Sequence, residues 1–77
     1  MKKLLVLGPG CPRCETLYEL TRQAADALGI DYELEKLTDI TQFAKYGVMM
    51  TPGLIIDGTV AVHGKVPSLD EIKNLLA

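Results

Sequence analysis

The strongest constraint on the fold lies in residues 3–14, KLLVLGPGCPRC, where an apolar run is stopped by two glycines and a proline and followed at once by the chain's two cysteines. Leu4 to Leu7 is a continuous apolar stretch, the pattern of a central strand covered on both faces, and Gly8-Pro9-Gly10 is a turn that ends it. From Cys14 onward, Leu17, Tyr18, Thr21, Ala24, Ala25 and Leu28 recur at spacings of three and four, with Gly29 placed to stop the run. The spacing predicts a helix over residues 12–28. Pro12 suits its first turn, where the N–H that proline lacks would have no partner. A buried strand thus leads through a tight turn into a long helix, and the cysteines lie at the junction.

The remaining segments complete a sheet around that unit. Ile30, Tyr32 and Leu34 alternate with Asp31, Glu33 and Glu35, as in a strand with one wet face whose acids guard an edge. Thr38 or Asp39 is placed to cap a short second helix, with Ile40, Phe43 and Ala44 on its apolar side and Gly47 after its end. Beyond the loop Val48-Met49-Met50-Thr51-Pro52, the runs 53–56 and 59–63 flank Asp57-Gly58, a preferred dipeptide for a two-residue hairpin turn. Ser68-Leu69-Asp70-Glu71 has the form of a capping box and opens a last helix with Leu69, Ile72, Leu75 and Leu76 inward. The order βαβαββα predicts an α/β fold, a four-stranded mixed sheet with helices on both faces, whose first two strands are parallel and whose last two form a hairpin.

A chain of 77 residues has room for one core, so a single domain over 1–77 is expected. Hydrophobic residues at 48% and charged residues at 23% give the balance of a soluble globular domain and argue against disorder. The formal charge is −2 and the basic residues are scattered apart from Lys2 and Lys3, which gives no footprint for nucleic acid. The apolar run after MKK is too short for a secretion signal, and no stretch approaches the ~18 apolar residues of a membrane span. The expected compartment is the cytoplasm, where thiols are kept reduced and a cysteine pair is more often catalytic, redox-sensing or metal-binding than a permanent staple.

Between a central strand and a helix start, Cys11 occupies the position where open α/β sheets carry their sites. First-turn N–H groups, the positive end of the helix dipole and the neighbouring Arg13 all favour a thiolate there. Its pKa is therefore expected to fall from the ~8.5 of an ordinary cysteine toward the ~3.5–7.5 of comparable pairs. Cys14, one turn further in, is the natural resolving thiol. Two rivals stand beside this redox reading. A dithiolate carrier of a metal or metalloid on the same pair is one; a closed zinc site needs four ligands where Cys11, Cys14 and His63 offer three, and a ferredoxin-like Cu(I) carrier requires the order βαββαβ. An inert structural pair is the other.

Cys11-Pro12-Arg13-Cys14 after the first strand, Thr51-Pro52 before the hairpin and the order of elements together resemble the thioredoxin and glutaredoxin superfamily. More narrowly, the chain is similar to the very small thioredoxin-like "redox-active disulfide" proteins of bacteria and archaea. The resemblance implies that Cys11 attacks a substrate disulfide and Cys14 resolves the mixed disulfide. It implies also that Pro52 is cis beside the cysteines and that Thr51 offers backbone groups to a bound peptide as an added strand. Where thioredoxins usually carry Trp before the first cysteine and a buried acid in the preceding strand, this chain has Gly10 and apolar residues, so no proton-transfer base for Cys14 is identified. The glutathione-holding features of glutaredoxins are only partly echoed, in Gly64-Lys65 and Asp70.

The expected activity is thiol–disulfide exchange with disulfide-containing proteins or small-thiol disulfides, with an unidentified reductase as second partner. No organic cofactor and no metal are required, no nucleic acid or membrane is involved, and the chain is expected to be a monomer. Of the remaining candidates, Arg13 tunes Cys11 or meets an acidic partner, Tyr18 belongs to the core, and Met49 and Met50 fill gaps in the core or line a hydrophobic docking patch beside Thr51. His63 reads as a strand-end residue.

Overall fold

Strand β1 (Lys2–Leu7) is the apolar run, and it feeds two cores at once because successive side chains leave a strand on opposite faces. A computed structural model describes residues 1–8, 10 and 12–77 of the chain. Helix α1 (Pro12–Leu28) follows, then β2 (Tyr32–Leu37), a 3₁₀ helix (Ile40–Tyr46), β3 (Gly53–Ile56), β4 (Thr59–His63) and α2 (Leu69–Leu76). On one face, Leu4 and Val6 pack with Leu54 and Val62 under Leu17, Ala24 and Ala25 of α1 and Ile72 and Leu76 of α2. On the other, Leu7 and Ile55 pack with Val48 and with Phe43 of the 3₁₀ helix. Helices therefore cover both faces.

The four strands lie in the order β2-β1-β3-β4. β1 runs parallel to β2, with Leu4 opposite Leu34, and antiparallel to β3, with Leu7 opposite Gly53. Along the chain the elements follow the thioredoxin-like order, βαβαββα with the 3₁₀ helix as the second helix, and not the βαββαβ of ferredoxin-like carriers. The hairpin turns at Asp57-Gly58, both at positive φ (50° and 85°), the geometry of a type I′ turn. Asp57 also ties the turn to β1, accepting from the Lys3 N–H at 2.9 Å and donating its own N–H to the Lys3 carbonyl at 2.8 Å.

The second helix is 3₁₀, and this changes what it buries. With three residues per turn, Ile40, Phe43 and Tyr46 form one row. The row meets the sheet only at its middle: Phe43 is buried, Ile40 at one end is 65% exposed, and Ala44, a third of a turn away, is exposed. Phe43 alone anchors the element, where Ile40, Phe43 and Ala44 are expected from sequence. Its start is set by Asp39, whose Oδ1 accepts from the Thr41 hydroxyl at 2.7 Å and the Thr41 N–H at 3.0 Å. Those two bonds, the hydroxyl's first, hold the Asp39 carboxyl below its usual range.

At α2 the capping box forms as expected, with Ser68 Oγ accepting from the Glu71 N–H and Glu71 Oε1 from the Ser68 N–H. Ile72 and Leu76 are buried and Leu69 is half-buried, but Leu75 is 42% exposed and does not face inward. At ~100° per residue, Leu69 and Leu76 fall to the same side of Ile72 and Leu75 to the other, which leaves Leu75 at the margin of the buried face. Ile72→Ala should cost about 2–5 kcal/mol, a large part of a small domain's stability, whereas Leu75→Ala should cost about 1 kcal/mol or less. Urea denaturation of the two variants checks this, and equal losses would contradict the orientation of α2.

Candidate active site

Strand register brings three separate connections to one end of the sheet. Leu7 at the end of β1 lies opposite Gly53 at the start of β3, and Gly53 lies opposite His63 at the end of β4. Gly8, the Thr51-Pro52 dipeptide and His63-Gly64 therefore leave the sheet at the same end. Gly8 continues the ladder by one bond, from its N–H to the Leu37 carbonyl at 2.9 Å, and so ties the corner to β2 as well.

Cys14 stands in the first turn of α1, fully buried. It fits there because Gly8 has no side chain. A Cβ on residue 8 would lie 2.6 Å from the Cys14 Cβ and closer still to its Sγ. From sequence, Gly8 serves only to end a strand; in the fold it is the floor on which the cysteine rests. Real Cβ atoms do not approach so closely, so helix, strand or sulfur would have to move to admit one. Cys11 lies outside the described residues.

Around Cys14, the other motif residues divide by exposure. Pro12 is the first residue of α1 and is exposed, as is Arg13, whose Nη2 donates to the Gly64 carbonyl at 3.5 Å, a long bond that links α1 to the end of β4. Glu15 is paired with Lys36 of β2 at 2.6 Å, and that bond raises the Lys36 pKa. Lys36 also lies 4.7 Å from the centre of the Tyr18 ring, which is half-buried against the core as expected of the helix stripe. The acid following the cysteine pair is thus compensated. Every carboxylate is exposed, and none is buried near Cys14 among the described residues.

The Thr51-Pro52 peptide is cis; Thr51 is half-buried and Pro52 buried. Of the two uses open to Met49 and Met50, core filling is not seen: they are 81% and 61% exposed. Val48, 3% exposed, and Pro52 occupy the two inward positions of this segment, and the methionines are left to run over the surface between them. An open apolar groove lined by Ile40, Phe43, Ala44, Val48 and Met49 reaches up to Thr51. His63, exposed at the end of β4, holds this segment from below: its Nε2 accepts from the Met49 N–H at 3.0 Å and the Met50 N–H at 3.3 Å. Of His63, counted from sequence as a third metal ligand, Nε2 is engaged by backbone.

A hairpin counted strictly from Asp57-Gly58 puts Val62 opposite Gly53. The observed register shifts between Leu54 and Ile55, where Leu54 pairs with Val62 and Ile55 with Val60, so Ala61 is the extra residue of a bulge and His63 arrives at Gly53. Gly8 was detectable from its place between strand and cysteine motif; the reach of His63 was not, because the bulge leaves no mark in the sequence. Gly8→Ala should destabilise the domain by about 1–3 kcal/mol. In a Cys11→Ser background it should also speed iodoacetamide labelling of Cys14 under native conditions. Unchanged stability and labelling would contradict the packing of Cys14 on Gly8.

Comparison with known proteins agrees with this geometry along the whole chain. The thioredoxin domain family matches residues 2–77. A thioredoxin of Methanocaldococcus jannaschii is 41% identical over 76 residues, covering 99% of this chain and 87% of that protein. A thioredoxin of Methanothermobacter thermautotrophicus is 39% identical over 77 residues and is covered from end to end, as is this chain. With the family matched over nearly the whole chain and two relatives about 40% identical along it, the chain belongs to the thioredoxin family.

Proposed function

We propose that the protein is a thiol–disulfide oxidoreductase that cycles between a Cys11-Cys14 dithiol and the corresponding disulfide. The observation that carries the reading is the position of Cys14, buried in the first turn of α1 on Gly8 at the sheet end that also carries Thr51-Pro52. Membership of the thioredoxin family supports the same kind of role. Cys11, immediately before Pro12 in the sequence, is the nucleophile, with its thiolate favoured by the start of α1 and by the cationic Arg13.

In the forward direction the Cys11 thiolate attacks one sulfur of a substrate disulfide. A Cys11–substrate disulfide forms, and the other substrate sulfur leaves as a thiolate. Cys14, having lost its proton to solvent or to the departing thiolate, then attacks the Cys11 sulfur. This forms the Cys11-Cys14 bond and releases the second substrate thiol. The substrate gains two electrons and two protons, and the protein dithiol loses them; a reductase dithiol returns them. The two sulfurs store both electrons, so neither an organic cofactor nor a metal enters the cycle. Burial of Cys14 suits this division of labour, since a resolving thiol needs to reach only its neighbour.

Substrates are proteins or small thiols bearing a disulfide. Thr51 is the docking residue, pairing backbone with an extended peptide, and the groove from Ile40 to Met49 accepts an apolar side chain of that peptide. The reducing cytoplasm is the compartment that suits such a cycle. The test is the Cys14→Ser variant exposed to disulfide-bearing proteins in cell extract. It should accumulate mixed disulfides on Cys11 that dithiothreitol releases, while Cys11→Ser should accumulate none. Adducts on neither variant, with stoichiometric retention of Zn(II) or As(III) by the wild type, would favour the dithiolate carrier instead.

A further inference from the structure

Residues 63 and 64 grip the segment 49–52 at both of its ends. Ahead of Thr51, the His63 ring takes the N–H groups of Met49 and Met50. Behind it, the Gly64 N–H donates to the Pro52 carbonyl at 2.9 Å. Gly64 is at φ +75°, and a Cβ there would lie 3.0 Å from the Met50 Cβ, so the two segments are in close backbone approach. The Gly64 carbonyl in turn accepts from Arg13 of the cysteine motif. Thr51 is therefore held between two fixed points.

We propose that His63 is a positioning residue for disulfide-substrate docking: the neutral ring, accepting two amide N–H groups at Nε2, holds Thr51 in the conformation that receives a peptide, and protonation of the ring releases it. The proposal rests on the docking role of Thr51 given above. An imidazole accepts at Nε2 only when that nitrogen carries no proton, so its single proton sits on Nδ1. Once protonated, the ring presents a donor to two donors, and the contact turns repulsive. Arg13, arriving from α1 at Gly64, and Lys65, two residues on in the chain, are both cations. Among the described residues no carboxylate pairs with the ring.

The experiment measures disulfide reduction at saturating dithiothreitol, using two short peptides joined by one disulfide, one bearing a fluorophore and the other a quencher. At neutral pH, His63→Leu should raise KM about tenfold with kcat nearly unchanged, since two hydrogen bonds that order the docking segment are gone. His63→Gln, whose side-chain oxygen reaches the same place, should restore most of the loss. As the pH is lowered and the ring takes up a proton, the ratio of wild-type KM to His63→Gln KM should climb. Both enzymes share any titration of the cysteines, so the ratio isolates residue 63.

Nitrogen NMR of the same protein supplies a readout independent of turnover. It should find the neutral ring protonated on Nδ1, with the Met49 and Met50 amide shifts following the ring's titration. An unchanged KM in His63→Leu, a flat KM ratio, or amides that ignore the ring would overturn the proposal. A wild type that reduces no disulfide at all counts against the functional reading; the amide titration then judges the His63 bonds by themselves.

Discussion

Close packing of Cys14 on Gly8 is the contact on which the rest of this structure depends. It fixes how near α1 comes to the end of β1, and with that the distance between the cysteine motif and the other loops at that end of the sheet. The contact is possible only because a strand ends in a residue without a side chain exactly one connection before the helix begins its first turn. A strand that feeds both cores cannot shift to relieve a clash, since Leu4 and Val6 are committed to one face and Leu7 to the other.

Sheet register does the remaining assembly. Antiparallel pairing of β1 with β3 places the residues before Gly53 beside the residues after Leu7, so Thr51-Pro52 is brought to the end of the sheet where α1 begins. The bulge at Ala61 then advances β4 by one residue and delivers His63 and Gly64 to the same place. One polar chain results, from Arg13 through Gly64 to Pro52, with His63 closing it on Met49 and Met50. The site is thus a product of backbone pairing first and side-chain chemistry second.

Much of this is legible in the sequence because local signals and the global fold agree. The apolar run of β1, the stripe of α1, Asp57-Gly58 and the Ser68–Glu71 box each name their element, and the order follows. What the sequence hides is set by tertiary context. Leu75 is apolar and well spaced, yet it falls at the margin of the face that Leu69, Ile72 and Leu76 present and stays exposed. Ile40 and Ala44 fit an α-helical face, but the segment winds as a 3₁₀ helix and leans on Phe43 alone. Met49 and Met50 look like core residues by composition; Val48 and Pro52 had already taken the inward places. His63 appeared idle because nothing local announces the bulge.

Whether two thiols of this chain form one two-electron couple is decided by equilibrating the protein across a series of glutathione redox buffers. Each sample is quenched with an alkylating reagent and weighed by mass spectrometry. A single transition between doubly alkylated and unalkylated protein is expected, tenfold in equilibrium constant for each ~30 mV, with an intramolecular Cys11-Cys14 disulfide as the oxidised form. A singly alkylated glutathione adduct or a disulfide-linked dimer as the stable oxidised product would contradict it.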